Sequence, residues 1–90
     1  MRSIRTTRGF ERDLKRVRKR GKKLDKLWSV VERLQHGESL DPRNRRHRLS
    51  GDWSLHWECH IEPDWLLVWH EDDADGLVLV RTGTHSDLFD

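Results

Sequence analysis

The sequence predicts one α+β domain over residues 1–90, an N-terminal strand and a helical hairpin packed on a small antiparallel sheet in the order β-α-α-β-β-β. Three observations predict it. Apolar residues recur at helical spacing from Phe10 to Leu34, change to a two-residue beat from Trp53 to Ile61, and then run without interruption from Trp65 to Trp69.

Residues 2–6 read as a short strand with Ile4 facing inward. Thr6 and Thr7 then offer an N-cap, and Phe10, Leu14 and Val17 form the stripe of an amphipathic helix that Gly21 stops. A second helix carries Leu24, Leu27, Val31 and Leu34 on one face, with Trp28 and Val30 flanking it, and Gly37 ends it. Glu38 to Arg48 reads as a polar connection containing Pro42. From Trp53 to Ile61, apolar residues alternate with Ser54, His56, Glu58 and His60, the pattern of a half-buried strand. Glu62-Pro63-Asp64 is a turn, and residues 65–70 suit a central strand. Asp75-Gly76 marks a hairpin into a last strand over residues 77–82, which Gly83 breaks.

Charge divides the chain in two. Residues 1–50 hold 17 Lys/Arg against 6 Asp/Glu, and residues 51–90 hold 1 against 10, so the net +2 conceals a strongly basic half. A face of that sign fits a polyanion, nucleic acid being the commonest. Arg12, Lys15, Arg16, Lys19, Arg20, Lys22 and Lys23 are the candidates for contact with RNA phosphates. The lone cysteine, Cys59, excludes an internal disulfide framework and fits a reducing, cytoplasmic compartment. No apolar run approaches the roughly 18 residues that span a bilayer, so no membrane partner is expected.

No metal site is expected. His56 and His60 have a helical chelate spacing, but on a strand four residues span roughly 13 Å. Asp72, Asp73 and Asp75 read as solvated loop charge. Cys59, among apolar strand positions, reads as a buried thiol rather than a nucleophile. Metal-free RNA cleavage asks for less: a base for the ribose 2′-OH, charge stabilisation, an acid for the leaving oxygen, and rings on which bases stack. His47, His60, His85, Asp64, Arg81, Trp65 and Phe89 are residue types that meet those needs, and no cofactor is required.

The segment from His47 to Trp65 (HRLSGDWSLHWECHIEPDW) resembles the His-x-Leu-x-Gly-x-Trp … His-x-Glu-Pro-Asp-Trp pattern of the YafQ-type toxins of the RelE-like superfamily. The tail from Arg81 to Phe89 (RTGTHSDLF) resembles the ending of the same group, so the likeness covers nearly the whole chain. The resemblance implies a RelE-like fold. It also implies an endoribonuclease that cuts mRNA in the ribosomal A site, in contact with ribosomal RNA, paired with an antitoxin protein. By position it implies acid–base roles for His47, His60, Asp64 and His85, with His85 as acid and Asp64 or His60 as base. Arg81 would lie near the phosphate, and Trp65 and Phe89 would form the substrate-site aromatics. Arg48, beside His47, adds charge for phosphate contact, and the chain has no tyrosine for the schemes that use one. A non-catalytic RNA-binding module, or an inactive relative that only binds antitoxin, is the alternative reading.

Overall fold

The computed structural model describes residues 1–89. Strand β1 (Ile4–Thr6) leads into helices α1 (Arg8–Lys19) and α2 (Leu24–Gln35). Strands β2 (His47–Arg48), β3 (Trp57–Glu62), β4 (Trp65–Glu71) and β5 (Leu77–Gly83) follow, and helix α3 (His85–Phe89) ends the described chain. The strands form one sheet in the order β1-β5-β4-β3-β2, antiparallel except for the parallel pair β1 and β5.

The continuous apolar run became β4, the central strand, with Trp65 to Trp69 buried on both faces. One face carries the main core, in which Phe10 and Val17 of α1 and Leu27, Val31 and Leu34 of α2 meet Cys59, Trp65, Leu67, Trp69, Leu77 and Leu79. The opposite face holds a smaller cluster, Leu66, Val68 and Leu88, with Leu49, Trp53 and Val80 packed against it. Burial of α1 is set at its first turn. Thr7 Oγ1 accepts from the Phe10 amide at 3.0 Å and donates to the Val80 carbonyl at 2.6 Å, so one N-cap closes the helix and ties it to β5.

Four expectations change. The meander is preceded by a short edge strand, β2, within what reads as connection, because His47 and Arg48 pair with Glu58 and Trp57. The strand expected from Trp53 begins only at Trp57. Gly51, at φ +66°, opens a 3-10 turn over Gly51–Trp53 that leaves Leu55 75% exposed. Glu58 is not a solvent-facing residue but is 4% exposed. The tail is helical: Gly83, at φ +153°, redirects the chain into α3, and a Cβ there would meet Asp87 Oδ2 at 2.8 Å. Asp87 in turn accepts from the Thr84 amide and from Arg20, fastening α3 to the end of α1.

Candidate active site

Three elements bring titratable side chains to the smaller-cluster side of the sheet. The β2–β3 register sets His47 opposite Glu58. His47 Nε2 lies 3.1 Å from Glu58 Oε1, and its Nδ1 lies 2.8 Å from the Arg45 carbonyl. Glu58 Oε2 is buried with no partner among the described residues. Two positions along β3, His60 places Nδ1 3.1 Å from the Pro63 carbonyl. A carbonyl only accepts, so Nδ1 carries the proton and Nε2 keeps its lone pair when the ring is neutral.

The third element is the turn from β5 into α3. Asp64 Oδ1 accepts from the His85 amide at 3.0 Å and lies 2.7 Å from His85 Nδ1. Those contacts, the backbone amide first, hold the Asp64 carboxyl below the usual carboxylate range. An ionised carboxylate only accepts, so His85 too has Nδ1 protonated and Nε2 turned outward. The ring centroids of His60 and His85 are 5.8 Å apart, and those of His47 and His60 are 6.3 Å apart. Four of the expected acid–base residues, His47, His60, Asp64 and His85, therefore share one site.

Phe89 borders the site, 41% exposed, with its ring edge-on to Trp53 at 5.7 Å. Trp53 continues the array to His56 at 5.1 Å, and His56 to His70 at 5.2 Å. Burial, followed by the charge of His70, pushes the His56 imidazole below its ordinary value. The alternation in the sequence predicts Trp53 in a strand; the 3-10 turn instead sets it beside His56 and Phe89.

The remaining expected site residues lie elsewhere. Trp65 is 1% exposed in the helix-side core, where its Nε1 donates to Thr82 Oγ1 at 2.9 Å, so it is a packing residue. Arg81 is held by buried Asp13 of α1, with Nε 2.6 Å from Oδ2 and Nη2 3.1 Å from Oδ1. Its guanidinium serves an ion pair on the α1 side instead of meeting the histidines. Arg48 sits with its guanidinium 5.3 Å from the Trp57 ring centroid, and Arg46 lies 4.5 Å from the same ring. Of the basic residues, Arg16 and Arg20 pair with Asp87, and Lys22 pairs with Glu62 at 2.6 Å. Arg12, Lys15, Lys19 and Lys23 are exposed and pair with no carboxylate among the described residues.

The His56–His60 pairing set aside on spacing does not form, since His56 packs against Trp53 and His70. Side chains of ligand type nevertheless converge from other positions. One ligand atom each from Glu58, His60 and His85 lie within 4.8 Å of one another. A carboxylate and two neutral imidazoles are a donor set that suits a borderline transition ion.

The sequence profile described as "Bacterial toxin of type II toxin-antitoxin system, YafQ" matches residues 2–90. This chain belongs to the YafQ toxin family. It is 35% identical over 81 residues to the mRNA interferase toxin YafQ of Escherichia coli K12, covering 89% of this chain and 87% of that one. The fold is that of the toxin in the E. coli DinJ-YafQ toxin-antitoxin complex, at 33% identity and a TM-score of 0.89 over 99% of this chain and 98% of the other. A metal-bound toxin from Helicobacter pylori is 40% identical, with a TM-score of 0.92 over 99% of this chain and all of that one. The YafQ-type motifs thus fall on the strands and turn that assemble the histidine site.

Proposed function

We propose that this chain is a ribosome-dependent mRNA interferase, an endoribonuclease that cuts messenger RNA in the ribosomal A site by acid–base chemistry and is neutralised by a cognate antitoxin. The observation that carries the reading is the pair His60 and His85, 5.8 Å apart, each with Nδ1 tied back to an oxygen acceptor. Such a pair presents two Nε2 atoms to a phosphodiester set between them. The E. coli relative is named an mRNA interferase, and the E. coli complex supplies the precedent for an antitoxin partner.

In this scheme His60 Nε2 takes the proton of the ribose 2′-OH as the 2′-oxygen attacks phosphorus. The P–O5′ bond breaks, and His85 as imidazolium gives its Nε2 proton to the departing 5′-oxygen. The products are a 2′,3′-cyclic phosphate and a 5′-hydroxyl. Asp64 orients His85 through the Nδ1 hydrogen bond and is itself engaged there, which leaves the base role to His60. His47, carried on Glu58, stands nearest to His60 to meet the phosphoryl oxygens, and Phe89 with Trp53 stacks an unpaired base. A divalent ion held by Glu58, His60 and His85 would add positive charge at the phosphate while occupying both imidazole lone pairs. The scheme needs no such ion. Arg12, Lys15, Lys19 and Lys23 supply a solvent-facing basic stripe for ribosomal RNA phosphates.

Induction of the wild-type chain and of His85→Ala in bacteria, with messenger ends mapped by primer extension, tests the proposal. Growth arrest with new in-frame ends, absent in the variant, is the expected result. Equal cleavage by the variant removes His85 from the chemistry. No arrest and no new ends from soluble wild-type protein favours an RNA-binding module instead.

A further inference from the structure

We propose that the groove between α2, the 3-10 turn over Pro42–Asn44 and the free end of β3 is a nucleotide subsite. In it the unpaired base on the 5′ side of the cut lies against Val30 and Ile61, and a backbone phosphate meets Arg45. The inference deepens the nuclease reading above, which supplies the polarity of the strand; the groove itself rests on geometry. Its volume is about 680 Å3, within the ~300–1,000 Å3 usual for sites that enclose small ligands.

The groove exists because β2 is short. That strand pairs with Trp57 and Glu58 only, so the outer edge of β3 from Cys59 to Glu62 has no strand beside it. The 3-10 turn covers the edge at one point, where Asn44 Nδ2 donates to the His60 carbonyl at 2.7 Å. Val30, Ile61 and Pro63 supply an apolar lining, and exposed Ser29 of α2 a polar one. His60 lines this groove and also stands between His47 and His85, so groove and histidine site are continuous. In the cleavage scheme His60 takes the 2′-OH proton and His85 protonates the 5′-oxygen. The nucleotide 5′ of the cut therefore lies on the His60 flank, where the groove opens, and Phe89, on α3 with His85, serves the other flank.

Charge favours RNA as the occupant. Arg43 pairs with Asp41 at 3.1 Å, and Lys22 and Lys26 share Glu62 at 2.6 and 2.8 Å. Arg45 pairs with no carboxylate among the described residues. Its backbone is left-handed, at φ +50°, a conformation disfavoured for a residue with a Cβ. Two contacts hold it there: the Asn44 amide on β3, and the Arg45 carbonyl, 2.8 Å from His47 Nδ1. A strained residue fixed between two site histidines, with its guanidinium unpaired, is placed to take a phosphate. One free cation beside an apolar lining suits a single unpaired nucleotide better than an acidic peptide, which needs a row of cations.

Titration of the isotope-labelled full chain with an uncleavable 2′-O-methyl tetranucleotide, followed by amide NMR shifts, tests the groove apart from activity. Shifts at Ser29, Arg45 and Ile61 are expected, and shifts confined to α1 and α3 overturn the subsite. Ser29→Trp, which fills the groove from an exposed position, should weaken binding at least about fivefold, the lower end for one displaced base. Arg45→Asn keeps a residue that tolerates the left-handed backbone and should flatten the log–log salt dependence by about 0.7, the value for one phosphate contact on a single strand. Arg5→Asn, on β1 at the opposite edge of the sheet, should leave both unchanged. Wild-type binding by both groove variants overturns the proposal, and if they also escape neutralisation by the co-expressed antitoxin the groove holds protein instead. Single-turnover cleavage on ribosomes, with messages differing only in the base 5′ of the cut, tests specificity. The wild type should discriminate at least about fivefold among the four bases and Ser29→Trp should not; a preference that survives in the variant overturns that role. If the wild type cuts no RNA, the nuclease reading fails while the titration still decides the groove.

Discussion

Asp13 joins the basic helix to the strand that delivers His85, and its removal should be costly for both stability and the site. It is 1% exposed and accepts from Arg81 Nε at 2.6 Å, Arg81 Nη2 at 3.1 Å, the Thr82 amide at 3.1 Å and the Arg16 guanidinium. Breaking one member of a buried ion pair typically costs about 3–5 kcal/mol, because the other charge is left uncompensated. The Arg81 and Arg16 side chains are 28% and 40% exposed, so both regain water, which draws the figure below that range. The Thr82 amide, with no such access, adds the penalty of an unmade bond, about 1–3 kcal/mol. Water screens most of the two arginine contacts, so the ion-pair part falls to about 1–2 kcal/mol, and with the Thr82 amide we expect Asp13→Ala to lose about 3 kcal/mol in all. With a urea slope of about 1–1.5 kcal/mol/M for a small domain, the unfolding midpoint drops by about 2–3 M. Arg81→Met combined with Asp13→Ala should be less damaging than Asp13→Ala alone. Amide exchange should also accelerate across residues 82–89, where Thr82 leads through Gly83 into α3. A stability loss below about 0.5 kcal/mol, or a double variant worse than the sum of the singles, would refute the reasoning.

Three further outcomes follow from the same contacts. Trp65→Phe, which removes the hydrogen bond to Thr82 and leaves a gap, should cost about 1–3 kcal/mol in urea unfolding while leaving cleavage intact; lost cleavage at unchanged stability would return Trp65 to the substrate site. Changing Arg12, Lys15, Lys19 and Lys23 together to Ala should lower the salt dependence of ribosome binding by about 3 units of log–log slope, measured by sedimentation across salt concentrations, and an unchanged slope would make the stripe a solvated surface. Arg20 holds the Asp87 carboxyl well below its ordinary range. A depressed folded-state value means the contribution to stability is present above the unfolded value near ~3.9 and is lost as pH falls through the folded one. Acid unfolding followed by tryptophan fluorescence should therefore be shallower in Asp87→Asn than in the wild type, with equal steepness as the contrary result.

Much of the fold was legible because its signals are local. The stripes of α1 and α2, the run that became β4 and the Asp75-Gly76 hairpin each depend on neighbours within a few residues. What escaped depends on partners far along the chain. Strand β2 exists only because His47 and Arg48 meet β3, and α3 is held through Asp87 by Arg20, which caps α1 and lies 67 residues away. The site divides along the same line. The alternation of β3 put His60 and Glu58 on one face, but it could not tell that Glu58 would be buried there. Asp13 carries a signal of its own: a carboxylate three residues after Phe10 and four before Val17 lies within the apolar stripe, where a buried charge needs a distant cation. That cation is Arg81, read in the sequence as a substrate contact. The Cys59 thiol was legible throughout; burial raises it to about 12, in keeping with an inert core position.

Cleavage of a defined message on purified ribosomes tests the central claim most directly, with wild type and His85→Ala compared for cutting and for ribosome binding. The account predicts that the wild type cuts only ribosome-bound message, within the A-site codon, leaving a 2′,3′-cyclic phosphate. His85→Ala should bind equally well and cut at least about 100-fold more slowly, the scale of a lost general acid. Cutting at the wild-type rate by the variant, or binding without cutting by both proteins, would contradict it.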